Sequence, residues 1–164
     1  MSNLCQIVDE QDNIIGSKPR NEIDFKNDYF RISGLWLTNS HGQVLIAQRH
    51  LTKDKDPGLW APAAAGTLEV GETYESNIYK AAEEEIGLSG ITFAVGPKMK
   101  FDEPRKCFCQ WFTAVCDKRE DEFVLQLSEV EQVKWIDKYD LVKDVTHTPD
   151  KYVPSMARII NEFV

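Results

Sequence analysis

One stretch of the sequence, from Gly66 to Leu88, constrains the fold most, because it specifies a loop, a helix and the point where that helix ends. The stretch opens on Gly66, and Glu72 stands just before a run of strong helix formers from Thr73 to Ile86. Gly87 follows this run, and glycine is the residue expected where a helix ends in a left-handed turn. The pattern predicts a glycine-bearing loop that leads directly into a helix.

Strand-like segments surround this helix. Two short apolar runs flank a polar stretch near the N-terminus and predict a hairpin over residues 4–16. The other segments with β-branched, aromatic or alternating composition are 30–37, 43–48, 91–95, 106–116 and 130–136. Apolar residues at helical spacing predict a closing helix over 150–164. We therefore expect an α/β (α+β) fold in which helices pack on the faces of a mixed β-sheet.

Length and charge restrict the class of protein. With 164 residues the chain has room for one domain, which we expect to span residues 1–164. The 27 acidic residues exceed the 19 basic ones, and the net charge of −8 disfavours nucleic-acid binding. No apolar stretch has the length of a signal peptide or of a membrane span, so we expect a cytoplasmic protein with no membrane partner and with reduced cysteines.

Acidic residues crowd one face of the predicted helix. Successive helical residues are about 100° apart, so positions 81, 84 and 85 share a face, and the preceding loop brings Glu69 and Glu72 near it. Carboxylates in such a cluster are the hard oxygen ligands that suit Mg²⁺ or Mn²⁺. The alternative is that the run of three glutamates is only the solvated face of a surface helix.

The same stretch resembles the Nudix box, G-x5-E-x7-R-E-U-x-E-E-x-G-U, where U is aliphatic. The positions that match this motif are Gly66, Glu72, Glu84, Glu85, Gly87 and Leu88. The resemblance implies a Nudix fold and metal-dependent hydrolysis of a diphosphate linkage in a small molecule. By this resemblance Glu84, Glu85 and Glu72 are candidate catalytic residues. The cluster of carboxylates makes Glu84, Glu85 and Glu69 candidate ligands of Mg²⁺ or Mn²⁺.

Two positions depart from the motif and leave the activity open. Lys80 stands where the motif has Arg, and Ala81 stands where it has a glutamate that commonly binds metal or acts as the general base. A carboxylate from elsewhere, Glu129 or Glu131 before a late strand, is a candidate replacement. The alternative is an impaired Nudix domain that binds a phosphorylated ligand without cleaving it.

Further segments resemble the isopentenyl-diphosphate isomerase-like branch of the Nudix family. They are the opening strand pair, Arg49–Trp60 and Glu129–Trp135. A true isomerase has a cysteine and then a histidine ligand where this chain has Ala65 and Thr67, and its paired glutamates map to Arg105 and Cys107. An isomerase is therefore the least favoured of the three functions.

Basic residues before the Nudix box complete the predicted site. Arg49, Lys53 and Lys55 are candidate substrate-binding residues, since they would offset phosphate charge in an acidic protein. Both lysines are equally well explained as solvated loop cations. We expect a small-molecule diphosphate as the partner and a monomer or homodimer as the assembly, whereas the group attached to the diphosphate depends on loops outside the motif.

Overall fold

The structure is a computed structural model and describes residues 3–164. These residues form a mixed sheet and three α-helices. The strands are β1 (Leu4–Val8), β2 (Ile14–Pro19), β3 (Tyr29–Thr38), β4 (Gln43–Arg49), β5 (Trp60–Pro62), β6 (Ala64–Thr67), β7 (Ala94–Phe101), β8 (Cys107–Val115) and β9 (Val130–Asp137). The helices are α1 (Tyr74–Ile86), α2 (Lys138–His147) and α3 (Met156–Phe163).

Strand β3 organises the sheet because four other strands pair with it. It is antiparallel to β1, β4 and β6, and it is parallel to β8 along its whole length. Strand β7 extends the sheet beyond β8, while β5 and β9 both pair with β4 and β2 pairs with β1. The antiparallel and parallel pairs make this a mixed sheet, as the sequence predicted.

Helices cover the sheet on both sides, which confirms the predicted fold class. Ile78, Ala82 and Ile86 of α1 are buried in one apolar cluster, and residues of α2 and α3, among them Leu141 and Met156, are buried in another. The side chains of Trp36, Trp111 and Tyr152 belong to the second cluster, so they are core residues and do not form a surface for stacking a ligand.

The C-terminal third differs from the sequence prediction. The helix expected over 150–164 is a 3-10 turn at Pro149–Lys151 followed by α3, because Pro154 cannot continue the first turn into a longer helix. Helix α2 was missed: it buries only Leu141 and Val145, which is too narrow an apolar stripe to give a clear period. Likewise β7 covers 94–101, beyond the predicted 91–95.

The cysteines are packing residues. All four thiols are buried and free of disulfides. Burial raises the pKa of Cys107 to about 12, and that of Cys109 also lies well above its usual value for the same reason. None of the three helices described in residues 3–164 has the length and apolar composition needed to cross a bilayer.

Candidate active site

A cavity of about 990 Å³ lies between the segment 66–85 and the loops that face it. Two sets of charged residues line it. Four glutamates, called here the acidic lining, are Glu69, Glu84, Glu85 and Glu129; Glu22 and Asp54 also line the cavity. Five cations, called here the basic lining, are Arg20, Arg49, Lys53, Lys55 and Arg105; Lys80 of the segment 66–85 also lines the cavity. The cavity therefore brings together carboxylates that suit a metal ion and cations that suit an anion.

Helix α1 is fixed at both ends. At its start, the backbone N–H of Ser76 donates to the Thr73 side chain at 3.0 Å, and the Thr73 N–H donates to the Ser76 hydroxyl at the same distance. At its end Gly87 adopts a left-handed conformation with φ of 65°. Because the opposite face of α1 is buried in the core, Ala81, Glu84 and Glu85 all line the cavity.

The loop before α1 packs tightly on the helix at Gly66. A Cβ atom at this position would lie 2.7 Å from Asn77 Oδ1 and 3.2 Å from the Ala81 Cβ, so only glycine permits this approach. Asn77 is buried, accepts a hydrogen bond from the Ser33 hydroxyl and donates to the Thr67 carbonyl at 3.2 Å. The orientation of the helix relative to the loop is thereby set.

Glu85 is the most perturbed acidic group in the cavity. Burial raises its pKa to about 8, and the nearby Glu129 carboxylate adds to the shift. Two influences lower the pKa of Glu85: the Ala65 N–H donates to its carboxylate, and Lys53 and Arg49 lie nearby as positive charges. They do not bring the pKa back to its ordinary value. Within residues 3–164, neither Glu85 nor the exposed Glu84 forms an ion pair.

Glu69 and Glu72 occupy different environments although they share one loop. Glu72 accepts the Glu69 N–H at 2.7 Å and lies 3.4 Å from the Lys80 ammonium, and it does not line the cavity. Its carboxylate therefore stabilises the loop. Glu69 does line the cavity, where its side chain accepts a hydrogen bond from the Asn3 amide at 3.0 Å.

The two late glutamates are also separated by the fold. Glu129 lines the cavity and forms a close ion pair with Lys53. Glu131 is exposed, lies 3.4 Å from His50 Nε2 and is not among the residues that line the cavity. Of the two candidate replacements for the carboxylate missing at position 81, the structure brings only Glu129 close to Glu85.

The three predicted substrate-binding cations all line the cavity. Arg49 Nε donates to the carbonyl oxygen of Lys55 at 2.9 Å, and burial lowers the pKa of this arginine. The Lys55 ammonium lies 3.3 Å from the centroid of the Phe25 ring. Burial, reinforced by the positive charges of Arg105 and other neighbours, lowers the pKa of Lys55 to about 8.

Sequence reasoning missed two cations of the basic lining. Arg20 follows the N-terminal hairpin, and Arg105 lies between β7 and β8, where it forms an ion pair with Asp56 at 3.0 Å. Neither lies in a motif, and both are brought to the cavity by segments far from the Nudix box. The resemblance to the isomerase branch implies a glutamate at position 105, where this chain has an arginine.

The positions that an isomerase would need carry no suitable groups. Ala65 and Thr67 line the cavity without a titratable side chain, and the thiol of Cys107 is buried in the core outside the cavity lining. Nothing at position 65 can protonate an alkene.

The donor set fits a hydrated divalent cation. No three His, Cys, Asp or Glu side chains within residues 3–164 converge into a ready cluster of ligands. Mg²⁺ takes one or two carboxylates and completes its shell with water and substrate phosphates, so carboxylate oxygens spread along one cavity suffice for it. Arg and Lys side chains in the same cavity can bind the phosphate oxygens.

Comparisons with known proteins bear on the family and the fold. The family model for the NUDIX domain matches residues 29–163. A protein of Pseudomonas aeruginosa, named as an uncharacterized Nudix hydrolase, is 34% identical over 134 residues, which are 81% of this chain and 78% of that protein. An isopentenyl-diphosphate delta-isomerase of Photorhabdus laumondii is 28% identical over 169 residues, which cover 98% of this chain and 92% of the isomerase.

Among solved structures, a crystal structure of a Deinococcus radiodurans protein superposes with a TM-score of 0.87. The match covers 98% of this chain and 99% of that one, at 18% identity. At this identity the likeness is one of fold, and the fold includes the N-terminal hairpin.

Proposed function

Because this chain belongs to the Nudix family, we propose that it is a divalent-metal-dependent hydrolase that cleaves the diphosphate linkage of a small, nucleoside diphosphate-type substrate. The observation that carries the proposal is Glu85, a half-buried carboxylate in the cavity wall beside Glu84 with no ion pair among the described residues. A buried carboxylate with a raised pKa is costly to ionise, and a bound cation removes that cost.

The metal would be held by Glu84 and Glu85, with Glu69 completing the protein's share of the ligands. When bound, Mg²⁺ or Mn²⁺ would supply a Lewis acid that neutralises phosphate oxygens and lowers the pKa of the attacking water. Glu85 would release its proton on taking up this role, since a carboxylate binds metal only in its ionised form.

The general base is the role that Ala81 leaves vacant, and we assign it to Glu129. Its carboxylate lines the cavity and is close enough to Glu85 to raise the pKa of that residue. Lys53 forms an ion pair with Glu129 and holds its carboxylate at the cavity, where it can accept a proton from water. The remaining cations, above all Arg49 and Lys55, would orient the phosphate groups.

A second function is favoured by one specific observation. Ala81 is 6% exposed and cannot bind metal or a proton, so the domain could hold a phosphorylated ligand without cleaving it. Both functions use the same cavity and the same ligand chemistry. They differ only in whether the bound ligand is hydrolysed.

The test is a comparison of Glu85→Gln with Glu83→Gln. Glu83 is exposed on α1 and does not line the cavity, so it controls for loss of one negative charge on the same helix. We expect Glu85→Gln to weaken Mg²⁺ binding in isothermal titration and to lower hydrolysis by about 10²-fold or more.

Hydrolysis is measured as phosphate or pyrophosphate release from nucleoside diphosphates, nucleoside triphosphates, dinucleotide sugars and prenyl diphosphates. Equal Mg²⁺ affinity in the two variants would contradict the metal assignment. Ligand binding without turnover of any substrate would support the binding module, and conversion of isopentenyl diphosphate to its isomer would contradict both.

A further inference from the structure

The N-terminal hairpin contributes one side chain to the loop that carries Glu69 and Glu72. Gln6 of β1 is 3% exposed, and its Nε2 donates to the carbonyl oxygens of Glu69 at 2.8 Å and of Glu72 at 2.7 Å. One amide group thus satisfies two carbonyls of the same turn. Such a contact fixes the turn, because a buried carbonyl left without a donor is costly.

The orientation of the Gln6 amide is itself fixed. Arg31 Nη1 donates to Gln6 Oε1 at 3.1 Å, which leaves the NH₂ group facing the loop. Arg31 is held in turn by Asp12, which accepts from its Nε at 2.8 Å through the carboxylate and from its Nη2 at 2.6 Å through the backbone carbonyl. The Tyr74 hydroxyl at the start of α1 donates to the same carboxylate at 2.9 Å.

Backbone hydrogen bonds hold the loop against β1 as well. The Gln6 N–H donates to the Leu68 carbonyl at 3.0 Å, and the Val70 N–H donates to the Leu4 carbonyl at 2.9 Å. The turn closes on itself where the Glu72 N–H donates to the Glu69 carbonyl at 3.0 Å. The hairpin lies outside residues 29–163, the part of the chain that the family model covers.

We propose that Gln6 is a positioning residue that holds the Glu69–Glu72 turn in the geometry needed for metal binding, an inference that rests on the proposed function. Gln6 touches neither metal nor substrate and acts through the two carbonyls. If its donors are lost, the Glu69 carboxylate is no longer held towards the cavity. The Glu72 carboxylate, which accepts the Glu69 N–H, is released with it.

The test replaces the donor and keeps the shape. Gln6→Glu retains the acceptor for Arg31 but presents an oxygen to the two carbonyls, and Gln6→Met removes the donors without adding charge. Gln11→Glu is the matched control, since it makes the same charge change at an exposed position of the same hairpin. Mn²⁺ binding is measured by electron paramagnetic resonance without substrate, and hydrolysis is measured as a function of Mn²⁺ concentration.

We expect Gln6→Glu and Gln6→Met to weaken Mn²⁺ binding about 10-fold, as loss of a residue that supports metal ligands commonly does. At saturating Mn²⁺ the kcat and substrate KM should return to those of the unmodified protein. A role in stability alone would lower the melting temperature and leave the Mn²⁺ requirement of the folded protein unchanged.

The outcomes separate this inference from the proposed function. Unchanged Mn²⁺ affinity in a folded Gln6 variant, with normal binding by the unmodified protein, would overturn the inference alone. Absence of Mn²⁺ binding by the unmodified protein would overturn the proposed function and the role of Gln6 together. Should Gln6→Glu fail to fold, Gln6→Met decides between the first two outcomes.

Discussion

The acidic and basic linings of the cavity are built in different ways. Glu84 and Glu85 project from a capped helix, and Glu69 lies in a turn closed by hydrogen bonds. The cations come mainly from loops and strand ends. Three of them already contact another side chain: Lys53 pairs with Glu129, Arg105 pairs with Asp56, and Lys55 lies over the ring of Phe25.

This difference indicates what each lining can bind. Glu84 and Glu85 form no ion pair among the described residues, so they suit a cation from outside the chain, whereas Glu69 and Glu129 already face Lys80 and Lys53. Cations that already have partners can exchange them for a phosphate at little cost. The acidic lining is therefore expected to dominate the energetics of the site, and the basic lining is expected to tune substrate binding.

Completing the acidic lining should produce the largest effect. Ala81→Glu restores a carboxylate to the face that carries Glu84 and Glu85, and a positioned acid or base contributes about 10²-fold or more to rate. In a protein that also carries Glu129→Gln, we expect Ala81→Glu to raise hydrolysis by about 10²-fold, and only with Mg²⁺ present, since the metal relieves repulsion among the three carboxylates. The rise is measured as phosphate release with and without Mg²⁺.

The control for this variant is Ala81→Gln, which has the same bulk at a buried position beside Gly66 and lacks the charge. In the unmodified protein, where we assign the role of base to Glu129, Ala81→Glu should add little, and a gain of about 10²-fold there would contradict that assignment. A gain in Ala81→Gln as large as that in Ala81→Glu would refute an effect of charge.

The acidic lining should also respond to pH through Glu85. With a pKa of about 8, this carboxyl is mostly protonated at neutral pH and mostly ionised one unit above its pKa. Metal binding requires the ionised form, so Mg²⁺ affinity should increase about tenfold between pH of about 7 and about 9. Isothermal titration across this range measures the change.

Glu85→Gln provides the control, because it removes the titrating group and should flatten the pH dependence. A steep dependence that survives in Glu85→Gln would assign the titration to another residue. A flat profile in the unmodified protein would show that Glu85 is ionised before the metal arrives.

The basic lining should give the smallest effect. Lys55→Met removes one cation of several, and a partly exposed charge pair contributes about 1 kcal/mol or less, so substrate KM should rise about fivefold at most with little change in kcat. Because the pKa of Lys55 is about 8, the unmodified protein should approach the KM of the variant as the pH rises above that value. Steady-state kinetics at two pH values measures both effects.

Lys143→Met, an exposed change on α2 outside the cavity, controls for loss of one positive charge. A fall in kcat larger than the change in KM for Lys55→Met would show that Lys55 acts in the chemical step. The basic lining would then do more than tune substrate binding.

Local sequence signals predicted much of the fold. The helix expected over 73–86 is α1, with Thr73 as its cap and Gly87 at its left-handed end. Helical spacing also predicted that positions 81, 84 and 85 share a face. These features depend on contacts within one turn or one loop, which is the range over which sequence patterns are informative.

Other features were decided by the tertiary structure alone. Glu129, just before β9, lies near Glu85, whereas Glu131, two residues later and within β9, lies outside the cavity lining. Glu72 matches the motif, but its carboxylate accepts a hydrogen bond within its own loop and does not line the cavity. Gln6 and Arg105 lie outside the motif, yet Gln6 donates to the Glu69–Glu72 turn and Arg105 lines the cavity.

The physical reason is the range of the interactions. The sequence by itself determined the loop, the helix, the type of sheet and the family, because caps, glycines and periodicity act between near neighbours along the chain. The charge balance of the cavity and the raised pKa of Glu85 arise from burial and from groups tens of residues apart, which only the packing of the sheet brings together.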